Sequence, residues 1–218
     1  MMRILCCVMM ALALVQGAVA ADAPSAYPTK PIRLIVPFAP GGGTDIVARA
    51  LAYKMTELFK QQVIVDNRAG GGGIIAAVMS KEAPADGYTI FFGTISALST
   101  NVAVYPKLPY DPLLDYAPIT MTATNPMFLV THPSVPGATV KEFVAAARAR
   151  PGYFNYSSSG TGGAAHLAGA LFASLAKIDM VHVAYKGAAP SMTDVLAGQI
   201  HATFTQPANV LSHARAGK

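Results

Sequence analysis

The chain has 218 residues, of which 53% are hydrophobic and 12% are charged, and its formal net charge is +5. An average soluble domain is roughly 25% charged, so this composition excludes a disordered protein or one dominated by an acidic tail. The basic residues are spread along the chain without a Lys/Arg run, which argues against a nucleic-acid-binding stripe. The length allows one large domain or two small ones.

The first 20 residues have the pattern of a secretory signal peptide. Arg3 precedes an apolar run over 4–15, and small residues at 18–20 resemble a cleavage site. The alternative is an N-terminal membrane anchor, but the run is shorter than the roughly 20 residues that span a bilayer. Cys6 and Cys7 both lie in this segment, so the exported chain is predicted to lack disulfides, a thiol nucleophile and cysteine metal sites.

Past the signal, apolar strands alternate with glycine-rich turns and helical patterns. The run at 32–38 is almost continuously apolar, as in a strand buried on both faces. Glycines 41–43 and a helix with an apolar stripe follow it. Strand, glycine turn and helix in succession are typical of βαβ units in a parallel sheet. The other strands predicted in this half are 62–67 and 88–93, with a helix between them that ends near Ala83.

The second half of the chain shows the same alternation of strands, turns and helices after an irregular stretch. Pro106, Pro109 and Pro112 exclude a long helix over 97–115, and Thr139 is placed to cap a helix. The predicted strands are 117–123, 127–132, 153–158, 180–185 and 200–205, and the later helices end near Ala176 and Gly198. The fold class is therefore α/β, with two lobes that each contain a mostly parallel sheet flanked by helices. The predicted division is 1–20 signal peptide, 21–125 first lobe and 126–218 second lobe.

The loop after the first strand is the first candidate binding site. Its glycines let backbone N–H groups converge at a helix N-terminus, where the helix dipole favours an anion. A plain tight turn is the alternative, and Asp45 either complements the dipole or binds a donor group. The candidate residues in this loop are Phe38, Pro40, Gly41, Gly42, Gly43, Thr44 and Asp45.

The loops after the next two strands are less specific. Four consecutive glycines at 70–73 imply unusual backbone angles or a close backbone approach. Arg68 is predicted to pair with Asp66 rather than to contact a ligand. Thr94 and Ser96 either add hydroxyl donors to the site or lie in a solvated loop.

In the second lobe, hydroxyls and free amides meet at a helix start. Gly160, Gly162 and Ala165 also fit the dinucleotide spacing G-x-G-x-x-A, but the acidic residue that this motif expects at the end of the next strand is missing. His166 is a capping or packed histidine, or a ligand contact, and Lys186 is predicted to face the cleft. The candidate residues of this lobe are Ser157, Ser158, Ser159, Gly160, Thr161, Gly162, His166, Tyr185, Lys186 and Gly187.

Catalytic signatures are absent from the sequence. No G-K-[ST] follows a glycine loop, Ser158 has no G-x-S-x-G frame, and the histidines show no H-E-x-x-H spacing. The sequence therefore predicts a binding protein with no catalytic residue, no metal and no cofactor, rather than an enzyme.

Several motifs together resemble the Bug/TctC family, the periplasmic solute-binding proteins of tripartite tricarboxylate transporters. The resemblance rests on YPTKPIRLIVPFAPGGGTDIVAR at 27–49, VDNRAGGGG at 65–73, ADGYTI at 85–90, SSGTGGAAHLAG at 158–169 and VAYKGAAPSMTDVLAGQI at 183–200. It implies a type II periplasmic-binding-protein-like fold that closes on a small carboxylate, a periplasmic location and membrane permease subunits as partners. It also implies that residues 38–45 form one jaw of the clamp, with 157–163, 166 and 185–187 forming the other.

The family usually continues beyond the equivalent of Lys218, so the resemblance predicts that the C-terminal part of the fold is missing from this sequence. Two other functions remain open at this point. One is an exported enzyme that binds a nucleotide cofactor through the G-x-G-x-x-A turn. The other is a truncated gene product that does not function.

Overall fold

The structure, a computed structural model, describes residues 27–217, and the predicted signal peptide lies outside them. The first of its two sheets contains three parallel strands in the order β2-β1-β3. The central strand pairs Ile32 with Val63 on one side and Arg33 with Thr89 on the other. Its apolar sequence is explained by burial on both faces. The strands are β1 (Ile32–Val36), β2 (Val63–Asn67) and β3 (Thr89–Phe91).

Four helical segments accompany this sheet. They are α1 (Gly43–Phe59), a single 3₁₀ turn (Gly71–Gly73), α2 (Ile74–Lys81), and a π-helical turn (Ser96–Thr100) that runs directly into α3 (Asn101–Val104). Helix α1 packs Ala48 and Ala52 against the strand core. The sequence predicted a less regular stretch without a long helix from about residue 97, and the chain there forms short helical turns up to Val104. It becomes extended at Tyr105, because a residue before proline disfavours the helical region.

The second sheet has four strands in the order β4-β7-β5-β6, of which only β4 is antiparallel to its neighbour. The predicted mostly parallel sheets are thus confirmed. The predicted strand at 117–123 is wrong, since no strand forms there and the side chains of Ile119 and Met121 are 77% and 79% exposed. The strands are β4 (Phe128–Thr131), β5 (Asn155–Ser158), β6 (Val181–Ala184) and β7 (Ala202–Thr205).

Four helices flank the second sheet: α4 (Val140–Ala149), α5 (Ala164–Ala176), α6 (Ala188–Leu196) and α7 (Pro207–Arg215). Thr139 caps α4 as predicted, and its hydroxyl and the Glu142 carboxylate form a reciprocal capping box. Helix α7 was not predicted from the sequence. The core beneath these helices is aromatic, with Phe143, Phe154, Tyr156 and Phe204 buried in one cluster.

The two sheet units meet at the loops that follow their strands. The Ala39 N–H donates to the Lys186 carbonyl at 3.0 Å, and the Thr100 hydroxyl donates to the Gly162 carbonyl. The predicted division between residues 125 and 126 falls in the connection between β3 and β4 and remains a prediction. None of the helices within 27–217 combines the length and hydropathy needed to cross a membrane.

Candidate functional site

A cavity of about 200 Å³ lies where the loops of the two sheets face each other. Its position agrees with the rule that ligands bind beyond the carboxyl ends of parallel strands. Residues from both sheet units contribute to its wall, so its shape depends on how the units meet. The lining residues are Phe38, Gly70, Gly71, Gly72, Tyr105, Ser159, Gly160, Thr161, Ala184, Tyr185 and Lys186.

The glycine run after β2 forms the wall of the cavity on the first-sheet side. All four glycines from 70 to 73 have positive φ, between 57° and 132°, so the run occupies backbone conformations that side chains disfavour. The unusual angles expected from the sequence are thereby confirmed. A Cβ on Gly72 would lie 2.6 Å from the Thr161 carbonyl oxygen of the opposite unit. Glycine here permits the two backbones to approach.

The loop after β5, residues 159–163, forms the opposite wall. Its Ser159, Gly160 and Thr161 line the cavity. The Ser158 hydroxyl receives the Gly160 N–H at 3.2 Å, and the ring Nδ1 of His166 accepts from the Gly162 N–H at 3.1 Å. Side chains of the second unit therefore hold this loop from behind, and the Thr100 hydroxyl contacts it from the first unit.

The end of β6 adds Ala184, Tyr185 and Lys186 to the cavity wall. The Tyr185 hydroxyl donates to the Asp194 carboxylate of α6, so it does not donate into the cavity. Burial and then Asp194 raise the pKa of Tyr185 to about 12. Lys186 is exposed, so its ammonium group is accessible to a bound molecule. Of the described residues that line the cavity, none carries a carboxylate side chain.

The loop at 40–45 lies beside this cavity and does not line it. Gly42 packs near Ala188 at the start of α6, and Gly43 lies against the Gln206 side chain before α7. Asp45 is 2% exposed and accepts from the Gly41 N–H, from Arg49 and from Asn67, each at 2.9 Å. Burial alone would raise the pKa of Asp45, but these hydrogen bonds hold it below its ordinary value. Asp45 therefore organises the loop from inside.

Several other candidates from the sequence also lie outside the cavity wall. Ser157 and Ser158 are buried within β5, where the Ser191 hydroxyl donates to Ser157 at 2.7 Å. Thr94 shares a hydrogen bond with Ser96 at 2.9 Å. Arg68 pairs with Asp66 at 2.8 Å, as predicted. The remaining candidates that do not line the cavity are Pro40, Gly41, Thr44, Gly162, His166 and Gly187.

Five lining residues were absent from the sequence-based site: Gly70, Gly71, Gly72, Tyr105 and Ala184. The four-glycine run carried a sequence signal for the first three, since such a run implies close backbone approach. Tyr105 had no comparable signal, because it lies in the stretch that showed no periodicity. Ala184 could not be predicted as a lining residue, because it lies at the cavity only through the position of β6 at the edge of the second sheet.

The residues that line the cavity combine glycines, hydroxyl-bearing side chains and one lysine. Such residues can supply hydrogen-bond donors and a positive charge to an anionic ligand. Across residues 27–217, no group of three or more His, Cys, Asp or Glu side chains is arranged to hold a metal ion.

Two parallel-dominated α/β units that enclose a loop-lined cavity define a periplasmic-binding-protein-like fold. Residues 47–218 match the family model described as "Tripartite tricarboxylate transporter family receptor". The chain belongs to this family, whose members are periplasmic solute-binding proteins, as the sequence resemblance implied.

Curated relatives support this membership. The chain is 39% identical over 190 residues to a protein encoded in the tcbD–tcbE intergenic region of Pseudomonas sp. strain P51, a match that covers 87% of this chain and 56% of the relative. It is 37% identical over 192 residues to BugT of Bordetella pertussis, covering 88% of this chain and 59% of BugT. The chain thus spans a little over half the length of these relatives.

Solved structures agree in fold. R. palustris Rpa4515 with adipate superposes with a TM-score of 0.85 at 37% identity, and the match covers 88% of this chain and 64% of that one. The periplasmic binding protein BugD superposes with a TM-score of 0.83 at 31% identity, and this match covers the same shares of the two chains. MatC from Rhodopseudomonas palustris with bound malate superposes with a TM-score of 0.83 at 29% identity, and the match covers 88% of this chain and 65% of MatC.

Proposed function

We propose that this protein captures a small organic carboxylate in the periplasm and presents it to the membrane subunits of a tripartite tricarboxylate-type transporter. The observation that carries the proposal is the cavity between the two units, which is lined by Gly70–Gly72 and Lys186 and by no residue with a carboxylate side chain. Such a set favours an anion, because backbone donors and a cation balance its charge. Adipate and malate in the similar structures support the same ligand class.

Capture in this proposal works by closure of the two lobes. The ligand enters while the lobes are apart, contacts the glycine run of the first lobe, and is covered when the loop at 159–163 approaches. The hydrogen bonds from Ala39 to Lys186 and from Thr100 to Gly162 then join the lobes beside the ligand. We propose the cavity-lining residues as the ligand contacts, with the 40–45 loop supporting them from the side.

Isothermal titration of the protein with a panel of organic acids tests the function. We expect at least one di- or tricarboxylate to bind, and its mono- or diester to bind at least tenfold more weakly because esterification removes the anionic charge. Nicotinamide dinucleotides in the same panel test the alternative cofactor-binding function. Uniform lack of carboxylate binding by folded protein would refute the proposal.

Replacement of Lys186 by Met is expected to weaken binding of the identified carboxylate about tenfold. The substitution keeps an unbranched side chain of similar length and removes the ammonium group of a residue that lines the cavity, so a charge-assisted contact with the ligand is lost. The affinity of the wild type is also expected to fall with added salt more steeply than that of Lys186→Met. Titration calorimetry at two ionic strengths measures both effects.

Lys141→Met is the matched control, since Lys141 is exposed on α4 and does not line the cavity. Its affinity and salt dependence should equal those of the wild type. Equal affinities for Lys186→Met and Lys141→Met would remove Lys186 from the site.

A further inference from the structure

Two histidines lie directly behind the cavity loop at 159–163. The rings of His166 in α5 and His182 in β6 stack with centroids 4.0 Å apart and planes inclined by 23°. His166 bonds the loop directly, and His182 reaches it through Ser158, the last residue of β5. His166 Nδ1 accepts from the Gly162 N–H at 3.1 Å, and His182 Nε2 lies 2.7 Å from the Ser158 hydroxyl oxygen.

Ser158 connects His182 to Gly160, which lines the cavity. Its hydroxyl oxygen receives the Gly160 N–H at 3.2 Å and lies 3.1 Å from the Gly160 carbonyl oxygen. Ser158 is 1% exposed, so water does not compete for these bonds. The two imidazoles therefore reach the loop at Gly160 and at Gly162, on either side of Thr161.

The hydrogen bond from the Gly162 N–H requires His166 to be unprotonated at Nδ1, and the stacking of the two rings disfavours charge on both of them. An imidazole nitrogen accepts an N–H only while it is unprotonated, so protonation of His166 at Nδ1 would oppose the Gly162 N–H. Two imidazolium rings in contact would also repel each other, and neither α5 nor β6, the two elements that carry the histidines, contains a carboxylate. The other titratable group among the described residues facing the pair is Tyr156 of β5, whose ring lies 5.1 Å from His182; α5 contains no charged residue.

We propose that His166 and His182 act as a neutral imidazole pair that positions the loop at 159–163 against the ligand, so that acidification releases the loop and weakens capture. Neither histidine lines the cavity, and both are positioning residues. The inference rests on the proposed function for its ligand, while the state of the loop can be measured without any ligand.

The titration of the pair supports this proposal. Burial, followed by the neighbouring His166, lowers the pKa of His182 to about 4, and burial lowers the pKa of His166. Between pH 6.5 and about 4 the unfolded chain therefore binds more protons than the folded chain. The contribution of the two histidines to the free energy of unfolding consequently decreases as the pH falls through this window.

The first test follows Gly160 and Gly162 by NMR in protein labelled with ¹⁵N-glycine and ¹⁵N-histidine. Both amide resonances are expected to shift together with the histidine titration, with midpoints below 6.5, while Gly152, far from the pair in sequence, does not follow. In His166→Asn the Gly162 amide should keep its position across this range, because the Asn side chain offers an acceptor that does not titrate. Amides that ignore the histidine titration would overturn the proposal.

The second test compares the affinities for adipate and malate of wild type and His166→Asn between pH 7.5 and 4.5. The carboxyl groups of the probes also titrate, but this contribution is common to both proteins and cancels in the ratio of affinities. We expect the ratio to change about fivefold in favour of His166→Asn on acidification. His166→Leu, without an acceptor, should bind weakly at every pH, and His213→Asn should follow the wild type.

A constant ratio of affinities across this range would overturn the proposal. Failure of every protein to bind either acid, with the glycine amides still following the histidines, would instead count against these acids as ligands and leave the positioning role supported by the amide shifts.

Discussion

Gly72→Ala is expected to lower the affinity for a carboxylate ligand by at least 100-fold, the largest loss from any single methyl group near the cavity. Gly72 has φ 62°, which an alanine tolerates only at a cost. Its new Cβ would lie 2.6 Å from the Thr161 carbonyl oxygen. That oxygen belongs to the backbone of the opposite lobe and has no rotamer through which to move, so the lobes must separate.

The effect of Gly72→Ala should appear in both affinity and shape. Titration calorimetry measures the loss of binding, and small-angle scattering should show a larger radius of gyration with unchanged secondary structure by circular dichroism. Gly152→Ala is the matched control, because Gly152 has φ 71° but its Cβ would meet only the end of the Asp179 side chain, at 3.3 Å. Equal affinity and compactness in the two variants would contradict steric closure at Gly72.

Phe154→Ala is expected to destabilise the fold by about 3–5 kcal/mol, the usual cost of emptying a large buried aromatic site. Phe154 is 1% exposed and its ring contacts those of Phe143, Tyr153 and His201, with centroids 5.6, 5.0 and 5.2 Å away. These neighbours come from α4, from the turn before β5 and from the chain just before β7, so the cavity left behind cannot collapse by moving one element. Urea denaturation followed by circular dichroism measures the loss.

Leu175→Ala provides the comparison for Phe154→Ala. Leu175 is 75% exposed on α5, so its truncation should change the free energy of unfolding by less than about 0.5 kcal/mol. A Phe154→Ala variant as stable as Leu175→Ala would show that the aromatic cluster is not the core of the second unit.

Most elements could be predicted because their signals are local. The strand at 32–36 is almost continuously apolar because both of its faces are buried. Helix α4 starts directly after Thr139 because its capping box lies within four residues. The strand predicted at 117–123 failed because a strand also needs a neighbour to pair with. Helix α7 was missed because it is short and weakly apolar, with one buried side chain, Val210.

The lining of the cavity was predicted less completely than the fold. Glycine-rich loops after strands are visible in sequence, and the loops at 159–161 and 185–186 do line the cavity. The sequence offered no means of ranking the loops at 40–45 and 70–73, since both follow parallel strands of the same sheet. Asp45 illustrates the difficulty. From the sequence its carboxylate could either contact a ligand or hold the loop together, and only its three donors within the protein show that it holds the loop.

The fold gives a physical reason for the low fraction of charged residues in the chain. The low charge is consistent with a cavity lined by amides and hydroxyls around a single ammonium group, and the alternation of strand, glycine turn and helix was determined by residues within a few positions of one another. Which loops face each other, that Gly72 touches Thr161, and that His166 stacks on His182 were decided only by tertiary structure. These contacts join residues far apart in the chain, and their energies depend on how the two sheets meet, which no local pattern encodes.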